Sequence, residues 1–339
     1  VEFDIFSSKI EIIKIKHKQN RAFHQNMNQE DDKKEITRIK AQKERPVARV
    51  QDVMEGLLSQ PLLPGLYLVA TPIGHLADIS LRALTMLAKA DFVAAEDTRH
   101  SRKLLQNYGI STEMISYHDH NGDQMRPKII RMIKEGRAIA LISDAGTPLI
   151  SDPGYKLAKL VREAGLRVEV APGASSVMAG LCLSGLPTDT FLFEGFLPPK
   201  QVARCKRLKT LKSIEGSLVF FETAKRIEAV VQDALTVLGD REASVLRELT
   251  KVHEEVIDGK LSDIKTLLEN RDLKGEIVFI IGPPLLAAIT DEEIAEALKN
   301  HLSEGASVRD SVSEVMTGLN LPKKRVYDLA LKLKKELDE

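Results

Sequence analysis

From Gly65 to Ala171 the chain repeats one unit: a short apolar run, turn-forming residues, then a segment whose apolar positions recur three and four apart. The runs are GLYLVA (65–70), DFVAAE (91–96), MISYH (114–118), AIALIS (138–143) and RVEVA (167–171). Strands separated by helices cannot pair as tight hairpins, because a parallel neighbour needs a crossover connection. The alternation therefore predicts an α/β domain with a largely parallel sheet. Such a sheet places ligands beyond the carboxyl ends of its strands, so the loops at those ends matter most.

Near residue 188 the pattern changes. TFLFEGF (190–196), SLVFFE (217–222), ASVLREL (243–249), HEEVIDG (253–259) and GEIVFIIG (275–282) read as longer strands, with helices at 199–213 and 224–238. Neighbouring strands with few helices between them predict a mixed α+β second domain, closed by Pro283 and Pro284. The last segment reads as helix, a turn at Gly318 to Pro322, and a second helix that starts with Lys323, Lys324 and Arg325. The expected division is 63–187, 188–286 and a helical segment over 290–339. Residues 1–45 mix lysine, glutamine, asparagine and acids without sustained periodicity, and read as a disordered extension. The chain begins with valine and Met27 lies inside that stretch, so some or all of the first 26 residues are expected to be a mis-set start or a dispensable tail.

In 339 residues, 43% hydrophobic and 29% charged, no uncharged apolar run approaches the ~20 residues a membrane helix needs. A cytoplasmic protein without a membrane partner is expected. Cys182 and Cys205 have neither metal-ligand nor disulfide-framework spacing; both read as reduced, and Cys182 as core. The formal net charge is zero, so any polyanion site must be a local patch. Arg99, Arg102, Lys103, Lys200, Arg204, Lys206, Arg207 and the Lys323 cluster are the candidates.

Neither G-x-G-x-x-G nor the P-loop pattern is present. Three strand ends carry unusual loops instead. TPIGHLADIS follows the first, with Asp78 as the expected helix cap; DAGTP follows the fourth; PGASS follows the fifth. All three lack lysine, which favours a cationic or neutral nucleoside-like ligand over a phosphate-rich one. In LISDAGTPLISDPG (141–154) the first Ser-Asp pair reads as a ligand loop, while Asp152 and Pro153 read as the cap and first residue of the next helix. Charged clusters stand at other strand ends: AEDTRHSR, SYHDHN, FETAKR and RELTKVHEE. The His118 and His120 pair has no third ligand at regular spacing, so no metal is expected.

The order and spacing of TPIG, AEDTR, YHDHN, SDAGTPLISDPG, PGASS, FEGFLP, RELTK and GEIVFI resemble the tetrapyrrole-methylase-fold methyltransferases that use S-adenosyl-L-methionine. Within that family the sequence is most similar to the bacterial branch that methylates the ribose 2′-hydroxyl of a cytidine in the decoding centre of 16S rRNA. The resemblance covers residues 63 to 284, and LPKKRVYDLAL near the C-terminus fits the same branch. It implies two domains with the cofactor bent in a cleft between them, a homodimer, and 16S rRNA within the small ribosomal subunit as partner. Pro72, Asp144, Ala145, Gly146, Thr147, Ser175, Ser176 and Gly275 would line the cofactor, and AEDTR, YHDHN, ETAKR and RELTK the substrate side. His75 stands where the branch usually has asparagine, Ala174 where it often has proline, and Ala224 with Lys225 where Pro-His is common.

Methyl transfer from a sulfonium requires alignment of the acceptor and help with its proton. Asp97 or Glu248 is the expected proton acceptor, with Arg99 and Lys251 holding phosphate or the developing alkoxide. Two other readings share some of these features: a methyltransferase acting on a tetrapyrrole or other small molecule, and a non-enzymatic RNA-binding protein.

Overall fold

The computed structural model describes residues 29–269, 271–284, 290–303, 306–318, 321 and 323–337. The chain divides into two units, Val1–Ser175 and Ser176–Glu339. That boundary falls one helix before the expected one at 187.

In the first unit β1 (Gly65–Val69), β2 (Phe92–Ala95), β3 (Glu113–Ser116), β4 (Ala138–Ile142) and β5 (Val168–Ala171) form one sheet in the order β3-β2-β4-β1-β5. Every pairing in it is parallel. Strand side chains alternate between the two faces, and both faces are covered. Tyr67, Val69, Val93 and Ala140 pack with Ala83, Met86 and Leu87 of α2 (Leu81–Lys89) and Leu105 of α3 (Thr98–Asn107). Leu66, Leu68, Ala94, Ile139 and Leu141 pack on the other side with Ile129 and Ile133 of α4 (Gly122–Lys134) and Leu157 and Val161 of α5 (Tyr155–Glu163). Full burial of a valine, leucine or isoleucine side chain among these contributes about 1.5–3 kcal/mol.

Residues 29–45, expected to be disordered, instead begin helix α1 (Gln29–Ser59). Their lysines, glutamates, arginines and glutamines are good helix formers even without apolar periodicity. Lys89 Nζ holds the far end of α1 by donating to Leu57 O at 2.6 Å and Gln60 O at 2.7 Å. The expected tail over residues 1–26 lies outside the described residues.

Two expected caps are corrected. Asp78 lies in a short 3-10 turn (Leu76–Asp78), and α2 is capped by Ser80, whose side chain accepts from Ala83 N. The residue before α5 is Gly154, at φ 134°, so Asp152 and Pro153 lie before the helix and do not cap it. A Cβ on Gly154 would stand 2.7 Å from Leu141 Cδ2, so both the packing and the positive φ require glycine there.

The second unit contains β6 (Phe191–Phe196), β7 (Ser217–Thr223), β8 (Glu242–Arg247), β9 (Glu255–Lys260) and β10 (Glu276–Ile281), ordered β6-β7-β10-β8-β9. β6 pairs parallel with β7 and the other pairings are antiparallel, the mixed sheet that the sequence predicts. Its core joins Phe220, Val245, Ile277 and Phe279 to Leu208 of α7 (Gln201–Leu211), Val230 and Val231 of α8 (Ile227–Leu238) and Ile264 of α9 (Leu261–Leu268). α6 (Ser176–Leu183) belongs with this unit because Gly180 lets its backbone approach β10; a Cβ there would stand 2.9 Å from Val278 Cγ1. With Val177, Gly180 and Leu181 buried, Cys182 faces outward, so the core assignment for Cys182 is corrected.

The C-terminal helices α10 (Asp291–Ser303), α11 (Val308–Gly318) and α12 (Lys323–Leu337) have a core of their own. Ile294, Leu298, Val312, Val315, Val326, Ala330 and Leu333 form it.

Candidate functional site

In the first unit β1 lies between β4 and β5, so the sheet brings the loops after these three strands side by side. Backbone hydrogen bonds then lock two of them together: Thr71 N donates to Gly146 O at 2.8 Å and Gly146 N to Thr71 O at 3.1 Å. Thr71, buried, also donates from Oγ1 to Ser143 O at 3.2 Å, and Ser143 Oγ to Gly146 O at 3.2 Å. Thr147 Oγ1 donates to Ala174 O at 3.1 Å and ties in the third loop. TPIG, SDAGTP and PGASS are therefore one assembly. Gly146 sits at φ 80°, and a Cβ there would stand 3.1 Å from Ile73 Cγ2, so the bridge requires glycine.

Backbone strain marks one loop in each unit. Among the described residues the non-glycine positions with positive φ are Leu149 (74°), Ser151 (61°), Glu248 (51°) and Thr250 (63°). The first two lie in PLISDPG and the other two in RELTK. Such conformations cost about 1–3 kcal/mol each and persist where surroundings over-determine them, often at ligand sites. The prolines and glycine of LISDAGTPLISDPG, which the sequence reading divides between loop and cap, serve one continuous strained loop.

Carboxylates gather at the same strand ends. The register pairs Ala95 with Ile142 and with Ser116, so Glu96, Asp119 and Asp144 follow neighbouring strands. Partial burial, together with Asp144 and Asp119, raises the Glu96 pKa despite the opposing effect of His118. Asp152 is pushed up to about 6 by burial and by Glu96 and Asp144. The sequence reading missed Asp152 as a member of this acidic group; its place in a two-proline loop gives the one local hint.

Asp97 caps α3: Oδ1 accepts from Arg99 N at 2.8 Å and His100 N at 3.3 Å. These backbone hydrogen bonds hold its carboxyl below the usual carboxylate range. Arg99 meets Asp97 through its main chain, and its side chain lines a recess of about 460 Å³ on α3 with Thr98, Arg102, Lys103 and Gln106. His118 Nδ1 accepts from Asn121 N at 3.2 Å while Asn121 Oδ1 accepts from His118 N at 2.9 Å, a closed turn that uses that imidazole nitrogen locally.

In the second unit β10 lies between β7 and β8, which joins FETAKR, RELTK and GEIVF. Glu248 Oε1 accepts from Lys251 Nζ at 2.8 Å and from Glu276 N at 2.9 Å, and Lys251 Nζ also donates to Glu276 Oε2 at 2.9 Å. Burial alone would raise the Glu248 pKa, but the hydrogen bonds from Lys251 and Glu276 outweigh it and hold the carboxyl low. Burial likewise opposes the charge on Lys251, and its bonds to Glu248 and Glu276 outweigh that and raise its pKa. Gly275, at φ 99°, gives Glu248 the space a side chain would take. Ala224 N donates to Gly275 O at 3.4 Å, completing the cluster.

Other charged candidates are structural braces. Glu222, buried, accepts from Arg226 Nη2 at 2.9 Å, and the same nitrogen donates to Leu197 O at 2.7 Å. Arg204 is buried against Asp233, with Nη2 2.6 Å from Oδ2, and Arg207 forms a forked pair with Glu194 at 2.5 and 2.7 Å. Arg204 is therefore removed from the expected basic stripe by burial, and Arg207 is engaged by its carboxylate partner. The proposed catalytic residues divide between units: Asp97 and Arg99 at the start of α3, Glu248 and Lys251 after β8.

A parallel sheet with glycine-dependent, lysine-free loops at its strand ends, followed by a mixed sheet, is the architecture of a methylase class. Residues 65–265 match the family of tetrapyrrole (corrin/porphyrin) methylases, and the chain belongs to it. The ribosomal RNA small subunit methyltransferase I of Mesorhizobium japonicum is 46% identical to it, covering 81% of this chain and 94% of that protein. The protein of the same name from Halalkalibacterium halodurans is 38% identical, covering 78% of this chain and 93% of its own. Among solved structures, a cobalt precorrin-4 methyltransferase superposes with TM-score 0.51 at 17% identity, covering 64% of this chain and 94% of that one. That last likeness concerns the fold.

Proposed function

We propose that this chain transfers a methyl group from S-adenosyl-L-methionine to the ribose 2′-hydroxyl of a cytidine in the decoding centre of 16S rRNA. The observation that carries the reading is the knitted assembly of TPIG, SDAGTP and PGASS, in a chain that matches small-subunit rRNA methyltransferases over nearly their whole length. The tetrapyrrole alternative shares the family but lacks relatives of comparable identity among those compared above. A non-enzymatic RNA binder would have no use for the strained ligand loops.

The donor set fits the cofactor. Pro72, Asp144, Ala145, Gly146, Thr147 and Ser175 of the first unit, with Ser176 beside them in sequence, offer backbone groups, hydroxyls and a carboxylate without a lysine. When bound, S-adenosyl-L-methionine supplies an electrophilic methyl group on a cationic sulfur. Asp144 and the neighbouring Glu96 and Asp152 place negative potential where that cation is favoured. Glu248 and Asp97 are ionised at neutral pH, the state a proton acceptor requires. Lys251, charged and held by two carboxylates, is suited to stabilise negative charge developing on the 2′-oxygen. Arg99, Arg102 and Lys103 offer cations to the RNA backbone from the recess on α3.

A homodimer working in the cytoplasm, where small ribosomal subunits are found, completes the reading. Light scattering on the purified chain measures the dimer. Incubation with small ribosomal subunits and labelled cofactor, followed by nucleoside analysis, tests the activity: ribose-methylated cytidine supports it, and base methylation or none refutes it.

A further inference from the structure

The three C-terminal helices segregate charge in a chain whose net charge is zero. α10 carries four acidic residues and one lysine, whereas α12 carries six basic residues and two acidic ones. The two helices are joined at one end by Arg325, whose Nε and Nη2 donate to Asp291 Oδ1 at 3.0 and 2.7 Å. That pair occupies Arg325 and leaves the neighbouring lysines outside it.

The period of α12 determines what faces outward. Val326, Ala330 and Leu333 are buried in the three-helix core. One position further along, Lys323, Tyr327, Leu331 and Lys334 recur at the same three- and four-residue spacing and are exposed, and the adjacent exposed row is Lys324, Asp328 and Lys332, one acid between two lysines. Tyr327 is 43% and Leu331 48% exposed. Lys323 and Lys334 are separated by eleven residues of helix, about 16 Å at the α-helical rise. This spans several phosphates of a nucleic-acid strand. One tyrosine and one leucine are too little apolar surface for a stable protein interface or for membrane insertion, but a tyrosine among lysines suits a ribose or an unstacked base.

We propose that the outward face of α12 is a dedicated RNA-docking surface, which holds the ribosomal substrate by its phosphates through Lys323, Lys324, Lys332 and Lys334 with Tyr327 at the centre. The surface is built without any residue of the two sheets. It rests on the rRNA reading above for the identity of the strand it holds. Its contribution is to affinity and salt dependence and not to the chemistry of methyl transfer.

The test compares the full wild-type chain with Lys323→Gln/Lys324→Gln/Lys332→Gln, exposed neutral changes that spare the three-helix core. Affinity for protein-free 16S rRNA is measured by filter binding across a salt series, with circular dichroism and calorimetric titration of S-adenosyl-L-methionine as controls. The expected result is at least tenfold weaker rRNA binding at low salt. The slope of log affinity against log salt should flatten by roughly 0.7–0.9 for each lysine engaged. Cofactor affinity and helix content should be unchanged. Equal rRNA affinity and slope in the two proteins would overturn the proposal. So would a loss seen with whole small subunits but not with protein-free rRNA, which would assign the face to a ribosomal protein. Wild-type binding with the expected lysine dependence, but no methyl transfer, would refute the functional reading and leave the docking surface standing.

Discussion

Lys251 Nζ lies 2.8 Å from Glu248 Oε1, and the backbone of Glu248 is held at φ 51° while that hydrogen bond is made. The strained turn brings the acid and the ammonium together, and Glu276 completes the lysine's shell. Replacing Lys251 with methionine removes the charge but keeps much of the side chain. Methyl transfer is expected to fall roughly 10²–10⁴-fold, the scale of proton-transfer assistance, while cofactor affinity changes little. Single-turnover rates with calorimetric titration check this. Wild-type turnover in Lys251→Met would remove the lysine from the mechanism.

Asp97 gives a prediction that separates two roles. As the cap of α3, its change to alanine should lower stability, and its change to asparagine much less, because asparagine can still accept from Arg99 N and His100 N. As a proton acceptor, it should lose activity equally in both variants. Thermal unfolding and turnover measured on Asp97→Ala and Asp97→Asn therefore distinguish cap from base. Full activity in Asp97→Asn leaves Glu248 as the remaining candidate.

Gly275→Ala combines positive φ with overlap against the Glu248 side chain. The strain is expected to cost about 1–3 kcal/mol and to displace Glu248 from Lys251. A lowered unfolding midpoint together with reduced turnover is the expected pair of results. An unchanged midpoint would contradict the packing described.

Asp152 predicts a pH dependence of stability. Its pKa rises from 3.8 to about 6 on folding, so between those values the folded state binds more protons than the unfolded one. Stability should therefore decline as pH rises from 4 to 6 through this group, and the penalty is complete above its folded value. Asp152→Asn should remove that decline. Urea titrations at several pH values test it, and a variant as pH-dependent as wild type over this window would refute it.

Sequence periodicity was sufficient for the architecture because both sheets are built from local apolar runs that packing did not override. GLYLVA and AIALIS are buried strands as read, and the change of texture near residue 188 corresponds to a change from a parallel to a mixed sheet. The misreadings have physical causes. Residues 29–45 are a helix of good helix formers without an apolar stripe, which periodicity alone reads as disorder. Asp152 and Asp78 have the right chemistry for caps, but Gly154 at φ 134° is not helical, so the helix cannot run back through it to Asp152, and Ser80 reaches Ala83 N instead. The ion pairs of Arg204 and Arg207 join residues distant in sequence and only folding reveals them. LISDAGTPLISDPG was legible as an unusual strand-end turn, but not its bridge to Thr71 or its positive-φ residues, since both depend on neighbouring strands.

Arg204 offers a control on RNA binding. Its guanidinium is buried against Asp233, so Arg204→Ala leaves an unpaired buried carboxylate and should destabilise the second unit by about 3–5 kcal/mol. At a temperature where the variant remains folded, rRNA affinity should match wild type. Weaker binding by a folded Arg204→Ala would restore this residue to the RNA surface.

The most direct measurement is nucleotide-resolved mass mapping of 16S rRNA after incubating unmethylated small subunits with the purified chain and S-adenosyl-L-methionine. The account predicts one added methyl group on the ribose of a cytidine in the decoding centre, and its loss in Lys251→Met. A methyl group on a base, one outside the decoding centre, or an unmodified rRNA would contradict it.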